Sequence, residues 1–146
     1  PVTLGHKDII DRALPLFDKL VIGIGRNINK KPMFSERQRL KWLREMYRDN
    51  PKVEALAYDG LTVDCCNKVG ANFILRGIRY VNDFEYEKAI ADMNRSIDHR
   101  IETIFLTCLP QFTSVASTLV RDVLRNGCDV SQFLPDEVKR SIKKRN

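Results

Sequence analysis

The sequence predicts an α/β fold: a small, doubly wound, Rossmann-like parallel sheet in a single domain. Short apolar runs rich in Val, Ile and Phe alternate with longer segments of helical periodicity. The connections between them are short, which favours right-handed strand–helix–strand crossovers and hence parallel strands. At 146 residues, 43% hydrophobic and 30% charged, the chain suits one core and leaves little room for a second.

Residues 19–25, 53–57, 72–76 and 103–107 read as strands. The first, Lys19-Leu20-Val21-Ile22-Gly23-Ile24-Gly25, is apolar at successive positions, as a parallel strand covered by helices on both faces must be. Residues 7–17 place Ile9, Ile10, Ala13, Leu14 and Phe17 on one helical stripe, and Pro15 is expected to kink the last turn. In residues 35–49, Ser35 is suited to cap a helix whose inward stripe is Leu40, Leu43, Met46 and Tyr47. Arg37, Arg39, Lys41 and Arg44 are expected to face water. Residues 61–69, 83–97, 117–126 and 135–144 complete the helices, and Gly70 and Gly127 are suited to end two of them.

The chain opens directly on Thr3-Leu4-Gly5-His6 and the first helix, with no strand to launch it. A strand taken from the middle of a parallel sheet leaves its neighbours' backbone groups unpaired. The single domain, residues 1–146, is therefore expected to be N-terminally incomplete, its first strand lying upstream of Pro1.

Composition narrows the function classes. No apolar run approaches the roughly 18 residues of a membrane span, and no targeting segment is visible at the start, so a cytoplasmic location is expected. Cys65, Cys66, Cys108 and Cys128 form no C-x-x-C pair, and with His6 and His99 the only histidines they read as packing thiols, not as a zinc site. The net charge of +6 is concentrated at the end: Lys139, Arg140, Lys143, Lys144 and Arg145 fall in the final eight positions, leaving 20 basic against 19 acidic residues elsewhere. A terminal run without interleaved aromatics argues against a nucleic-acid groove.

The chemistry-bearing residues gather where strands end, which is where open α/β sheets bind ligands. Thr3-Leu4-Gly5-His6 sits at a helix start, where unpaired N–H groups and a partial positive charge favour anions. Alone it is weak, since a histidine there is more often a cap or surface residue. Arg76-Gly77-Ile78-Arg79 follows a strand and supplies two guanidiniums shaped for phosphate. Lys30-Lys31-Pro32 adds an ammonium after the first strand, and residues 114–121 bring hydroxyls, helix-start N–H groups and Arg121 after the last. Their joint occurrence points to a site for several phosphates.

At these residues the sequence resembles the bacterial phosphopantetheine adenylyltransferase family of TxGH nucleotidyltransferases. Thr3 to His6 looks like the TxGH signature and Val115 to Arg121 like the ISSSxxK/R segment, with Ala116 at a serine position. Lys30-Lys31-Pro32-Met33-Phe34, Arg76 to Arg79, Asp83-Phe84-Glu85-Tyr86-Glu87 and Phe133-Leu134-Pro135 match in order and spacing, while only Pro1 remains of the GTFDP turn. The resemblance implies transfer of AMP from ATP to 4′-phosphopantetheine, giving dephospho-coenzyme A and pyrophosphate, with Mg²⁺ assisting. By similarity, His6, Lys30 and Arg79 are catalytic, and Lys30, Leu61, Thr62 and Arg76 bind phosphopantetheine. ATP would be held by His6, Gly77, Ile78, Arg79, Glu87, Phe112, Thr113, Ser114, Val115, Ala116, Ser117, Thr118 and Arg121. The same resemblance implies a homohexamer, and coenzyme A as a feedback ligand.

The reaction suits the inventory, because an ionised phosphate nucleophile needs no general base; offsetting charge in line is the whole task. Two other readings stay open here: a sister TxGH enzyme acting on nicotinamide mononucleotide or glycerol phosphate, and a nucleotide-binding module without turnover.

Overall fold

The computed structural model describes residues 1–26 and 32–143. In order these form α1 (Leu4–Ala13), β1 (Leu20–Gly25), α2 (Glu36–Met46), β2 (Val53–Tyr58), α3 (Thr62–Val69), β3 (Phe73–Ile78), α4 (Val81–Ile97), β4 (Glu102–Thr107), α5 (Ser117–Arg125) and α6 (Asp136–Lys143). Strand–helix alternation and parallel pairing are as the apolar runs predict. β1 pairs with β2 from Leu20 opposite Val53 to Gly25 opposite Tyr58, and β3 with β4 from Phe73 opposite Glu102 to Ile78 opposite Thr107.

The strands form two parallel pairs, β1–β2 and β3–β4. β1 and β3 face one another across a cavity of about 1250 Å³ whose walls include residues 19–23 and 73–77. α2 packs on β1 and β2, α4 on β3 and β4, and α6 on α2. The crossovers thus cover the strands and leave their carboxyl ends to loops.

Local sequence explains most boundaries. The Ser35 Oγ accepts the Gln38 N–H at 3.2 Å, as a cap residue should. Pro15 ends α1 early: the helix stops at Ala13 and continues as a 3-10 turn over Leu14–Leu16. Gly70 takes the left-handed conformation (φ 69°) that closes α3.

The buried face of α2 is wider than its predicted stripe. Trp42 is fully buried in the largest cluster, with its ring edge-on to Phe34 at 5.0 Å and with Val120, Leu134 and Val138 around it. It lies off the predicted stripe because α6 and the chain after β4 cover a second face of α2. For the same reason Arg39 does not face water: it is half-buried, with its Nε wholly enclosed. Cys65 and Cys66 are buried, and burial pushes both thiols up, as packing cysteines require.

Candidate active site

The start of α1 organises the cavity. Thr3 is its extended N-cap and is fully buried. Its backbone N–H donates to His6 Nδ1 at 3.1 Å, and its hydroxyl lies 2.8 Å from the same nitrogen. The imidazole thus takes the place of the glutamate in a capping box. A nitrogen that accepts a backbone N–H carries no proton, so the neutral ring holds its hydrogen on Nε2.

Nε2 has no protein partner among the described residues, and His6 lines the cavity. His6 is exposed, and what it opens on is the cavity. Desolvation there, helped by the positive charges of Arg79 and Arg76, lowers its pKa from 6.5 to about 4. At neutral pH His6 is therefore an uncharged N–H donor.

Close packing fixes that helix end over the strands. A Cβ at Gly77 of β3 would come within 3.1 Å of the Ile9 side chain, tighter than ordinary packing, so the glycine eases the close approach of α1. Gly5 sits against the Val115 carbonyl and Phe112, each within 3.7 Å of where its Cβ would be. Arg12 grips Asp8 and donates to the Thr107 carbonyl at 2.6 Å, tying α1 to the end of β4.

Arg76 and Arg79 reach the cavity differently from the expectation. β3 continues past Arg76, its predicted last residue, so Gly77 and Ile78 also belong to the strand and not to a loop after it. Arg76 gives its Nε and Nη2 to the two oxygens of Glu87 at 2.7 and 2.6 Å. This pairing, above all, raises the guanidinium above its ordinary value. Arg79 gives its Nε, Nη2 and backbone N–H to Asp83 at 3.0, 3.3 and 3.1 Å. Burial opposes ionisation of Asp83, but these bonds hold its carboxyl below the usual range.

The cavity brings together His6, Thr62, Arg76, Gly77, Arg79, Glu87, Phe112, Val115, Ala116, Ser117 and Thr118. Its lining does not include Leu61, Ile78, Thr113, Ser114 or Arg121. Leu61 is the exposed N-cap of α3, Ile78 is buried, and Thr113 donates to the Leu109 carbonyl at 3.4 Å. Ser114 is exposed, and Arg121 donates to the Thr118 hydroxyl at 3.0 Å. The Ser117 hydroxyl donates to the Pro1 carbonyl at 2.6 Å. Lys30 lies outside the described residues.

Sequence reasoning assigned no role to two lining residues. The Tyr58 hydroxyl lies 2.8 Å from Thr62 Oγ1, and its ring fills the space over Gly23 and Gly25. Those alternate glycines in β1 were the available signal. Asp83 could have been found from its spacing, one helical turn before Glu87.

Comparison with known proteins agrees with this geometry. Residues 1–123 match the family model described as cytidylyltransferase-like. The phosphopantetheine adenylyltransferase of Flavobacterium psychrophilum is 50% identical over 139 residues, 95% of this chain and 91% of that protein. Those of Bacteroides thetaiotaomicron and Prochlorococcus marinus are 47% and 40% identical, over 93% and 98% of this chain and 89% and 91% of theirs. The TxGH helix start, the two arginines at the end of β3 and the identity along nearly the whole chain place this protein in the phosphopantetheine adenylyltransferase family of cytidylyltransferase-like nucleotidyltransferases.

Proposed function

We propose that this chain transfers AMP from ATP to 4′-phosphopantetheine, giving dephospho-coenzyme A and pyrophosphate. The observation that carries the reading is the neutral, tautomer-locked His6 in the same cavity as Arg76 and Arg79. The pantetheine phosphate attacks the α-phosphorus of ATP in line, the bond to the β-phosphate oxygen breaks, and pyrophosphate leaves. The nucleophile is already ionised, so no proton must be removed.

Residue roles follow from charge and place. His6 donates its Nε2 hydrogen to an oxygen of the reacting phosphoryl group, where negative charge builds. Arg79 and the N–H groups at the start of α5 (Ser117, Thr118) receive the ATP phosphates, beside Gly77, Phe112, Val115 and Ala116. Arg76 receives the pantetheine phosphate together with Lys30, and Tyr58 and Thr62 line the way for the arm, near Leu61. Ile78, Thr113, Ser114 and Arg121 act from behind the lining, through the backbone and through Thr118.

Mg²⁺ finds no ready protein cage: among the described residues no three His, Cys, Asp or Glu side chains cluster, and the Glu87 and Asp83 carboxylates of the cavity wall are engaged by arginines. The ion would enter on the ATP phosphates, as Mg²⁺ commonly does. No described helix is long and apolar enough to cross a membrane, and a cytoplasmic enzyme is the reading we adopt. For a homohexamer, the support is the exposed apolar row Tyr86, Ile90, Met93 and Ile97 along α4. Coenzyme A, which contains the product, is the proposed feedback ligand.

The test is pyrophosphate release by the purified protein with Mg-ATP and 4′-phosphopantetheine, against nicotinamide mononucleotide and glycerol phosphate. Release with phosphopantetheine alone is expected. Release with a control substrate instead moves the assignment to a sister enzyme, and none with any substrate leaves a binding module.

A further inference from the structure

The end of β2 and the start of α3 carry a pair of hydroxyls on the cavity wall. β2 ends at Tyr58 and α3 begins at Thr62. Between them Gly60 takes a positive φ of 82°, a conformation that residues with a side chain rarely adopt. The turn brings the Tyr58 hydroxyl to 2.8 Å from Thr62 Oγ1. The Tyr58 ring is held from behind by β1: a Cβ at Gly23 would come within 2.9 Å of the ring, and one at Gly25 within 3.2 Å of its hydroxyl. Both side chains are half-buried and line the cavity, and Tyr58 stands within electrostatic reach of Arg76.

Hydrogen counting gives the pair a polarity. Two hydroxyls carry two hydrogens, and their mutual bond uses one; neither has another partner among the described residues. A phenol is a stronger acid than an aliphatic alcohol and therefore the better donor. Tyr58 thus donates to Thr62, and the Thr62 hydrogen is left for the cavity. Beyond its phosphate ester, phosphopantetheine offers two methyl groups, a hydroxyl and then an amide carbonyl. An aromatic ring near Arg76 suits the methyl groups, and a spare hydroxyl hydrogen beside that ring suits the carbonyl.

We propose that Thr62 donates its hydroxyl hydrogen to the first amide carbonyl of the pantetheine arm, and that Tyr58 is a positioning residue that orients this hydroxyl. The pair makes the site prefer an amide-bearing phosphate ester over a bare one. The proposal rests on the phosphopantetheine reading above, in which Arg76 takes the phosphate and Thr62 stands beside the arm.

The experiment is pyrophosphate-release kinetics of the full chain with each substrate varied in turn, together with inhibition by neopentyl phosphate. This probe keeps the phosphate ester and the methyl groups and lacks the hydroxyl and both amides. Thr62→Val should raise KM for phosphopantetheine about tenfold and Tyr58→Phe about fivefold, the range of one hydrogen bond. In both variants kcat, KM for ATP and the inhibition constant of neopentyl phosphate should change by less than about twofold. The double variant should lose no more than Thr62→Val alone, since Tyr58 acts only through that hydroxyl. Phenylalanine keeps the ring that fills the space over the β1 glycines, so Tyr58→Phe tests the hydroxyl alone.

An unchanged KM for phosphopantetheine in Tyr58→Phe would overturn the proposal. An equal rise for ATP or for neopentyl phosphate would overturn it too, by making the pair a prop of the cavity wall. Additive losses in the double variant would leave two independent contacts and no positioning role. These outcomes are read against an active wild type. A wild-type chain that releases no pyrophosphate with phosphopantetheine would instead remove the functional reading, and the proposal with it.

Discussion

Replacing His6 with alanine should lower turnover far more than it weakens ATP binding. The substitution deletes the Nε2 hydrogen, which has no protein partner among the described residues and opens on the cavity that holds Arg76 and Arg79. Removing one preorganised donor to a charge that grows in the transition state costs about 100- to 1000-fold in kcat, or roughly 2.7–4 kcal/mol. KM for ATP should change by less than about threefold, because the arginines and the helix-start N–H groups that hold the ground-state phosphates remain. The assay is pyrophosphate release at saturating phosphopantetheine with ATP varied. Because the folded pKa of His6 is about 4 and not 6.5, the wild-type rate should show no inflection from this ring between about pH 6 and 8. A variant with wild-type turnover, or a wild-type profile falling below pH 6.5 that vanishes with His6→Ala, would refute a neutral donor acting on the transition state.

Further outcomes follow from packing and linkage. Trp42→Ala should destabilise the fold by about 3–5 kcal/mol in denaturant titration, since the ring is fully buried against Phe34 and the α6 cluster. Gly77→Ala should cost about 1–3 kcal/mol by pressing a methyl against Ile9, and a double-mutant cycle with Ile9→Ala should recover part of that loss. Thermal stability should decline as pH falls from 6.5 toward 4, because the unfolded chain protonates His6 in that window while the folded chain resists it. The neutral ring's contribution is complete above pH 6.5, and melting His6→Gln alongside wild type should show a shallower acid slope.

Much of this arrangement was legible along the chain. The strands appear because their apolar runs lack the 3.6-residue period. Helix ends appear at Ser35, Pro15 and Gly70, because capping, a missing N–H and a positive φ are decided within a few residues. His6, Arg76 and Arg79 were singled out from sequence because each lies near the start of a helix or the end of a strand, and the structure brings all three to one cavity.

Contacts across the fold decided the rest. Trp42 was left out of the inward stripe and Arg39 was assigned to water because a single helix's periodicity shows one face, and α6 with the chain after β4 covers another. Tyr58 enters the cavity wall because Gly23 and Gly25, from a strand more than 30 residues earlier, leave room for its ring. Glu87 and Asp83 are in the sequence as acids one turn apart, but that Glu87 meets Arg76 depends on how α4 returns beside β3. The sequence by itself determined the elements, the family and the residue types the chemistry needs, since each is local or shared with relatives. Only the tertiary structure decided the desolvation of His6 and the pairing of Arg76 with Glu87, because the cavity walls and α4 reach those groups only once separate segments have packed.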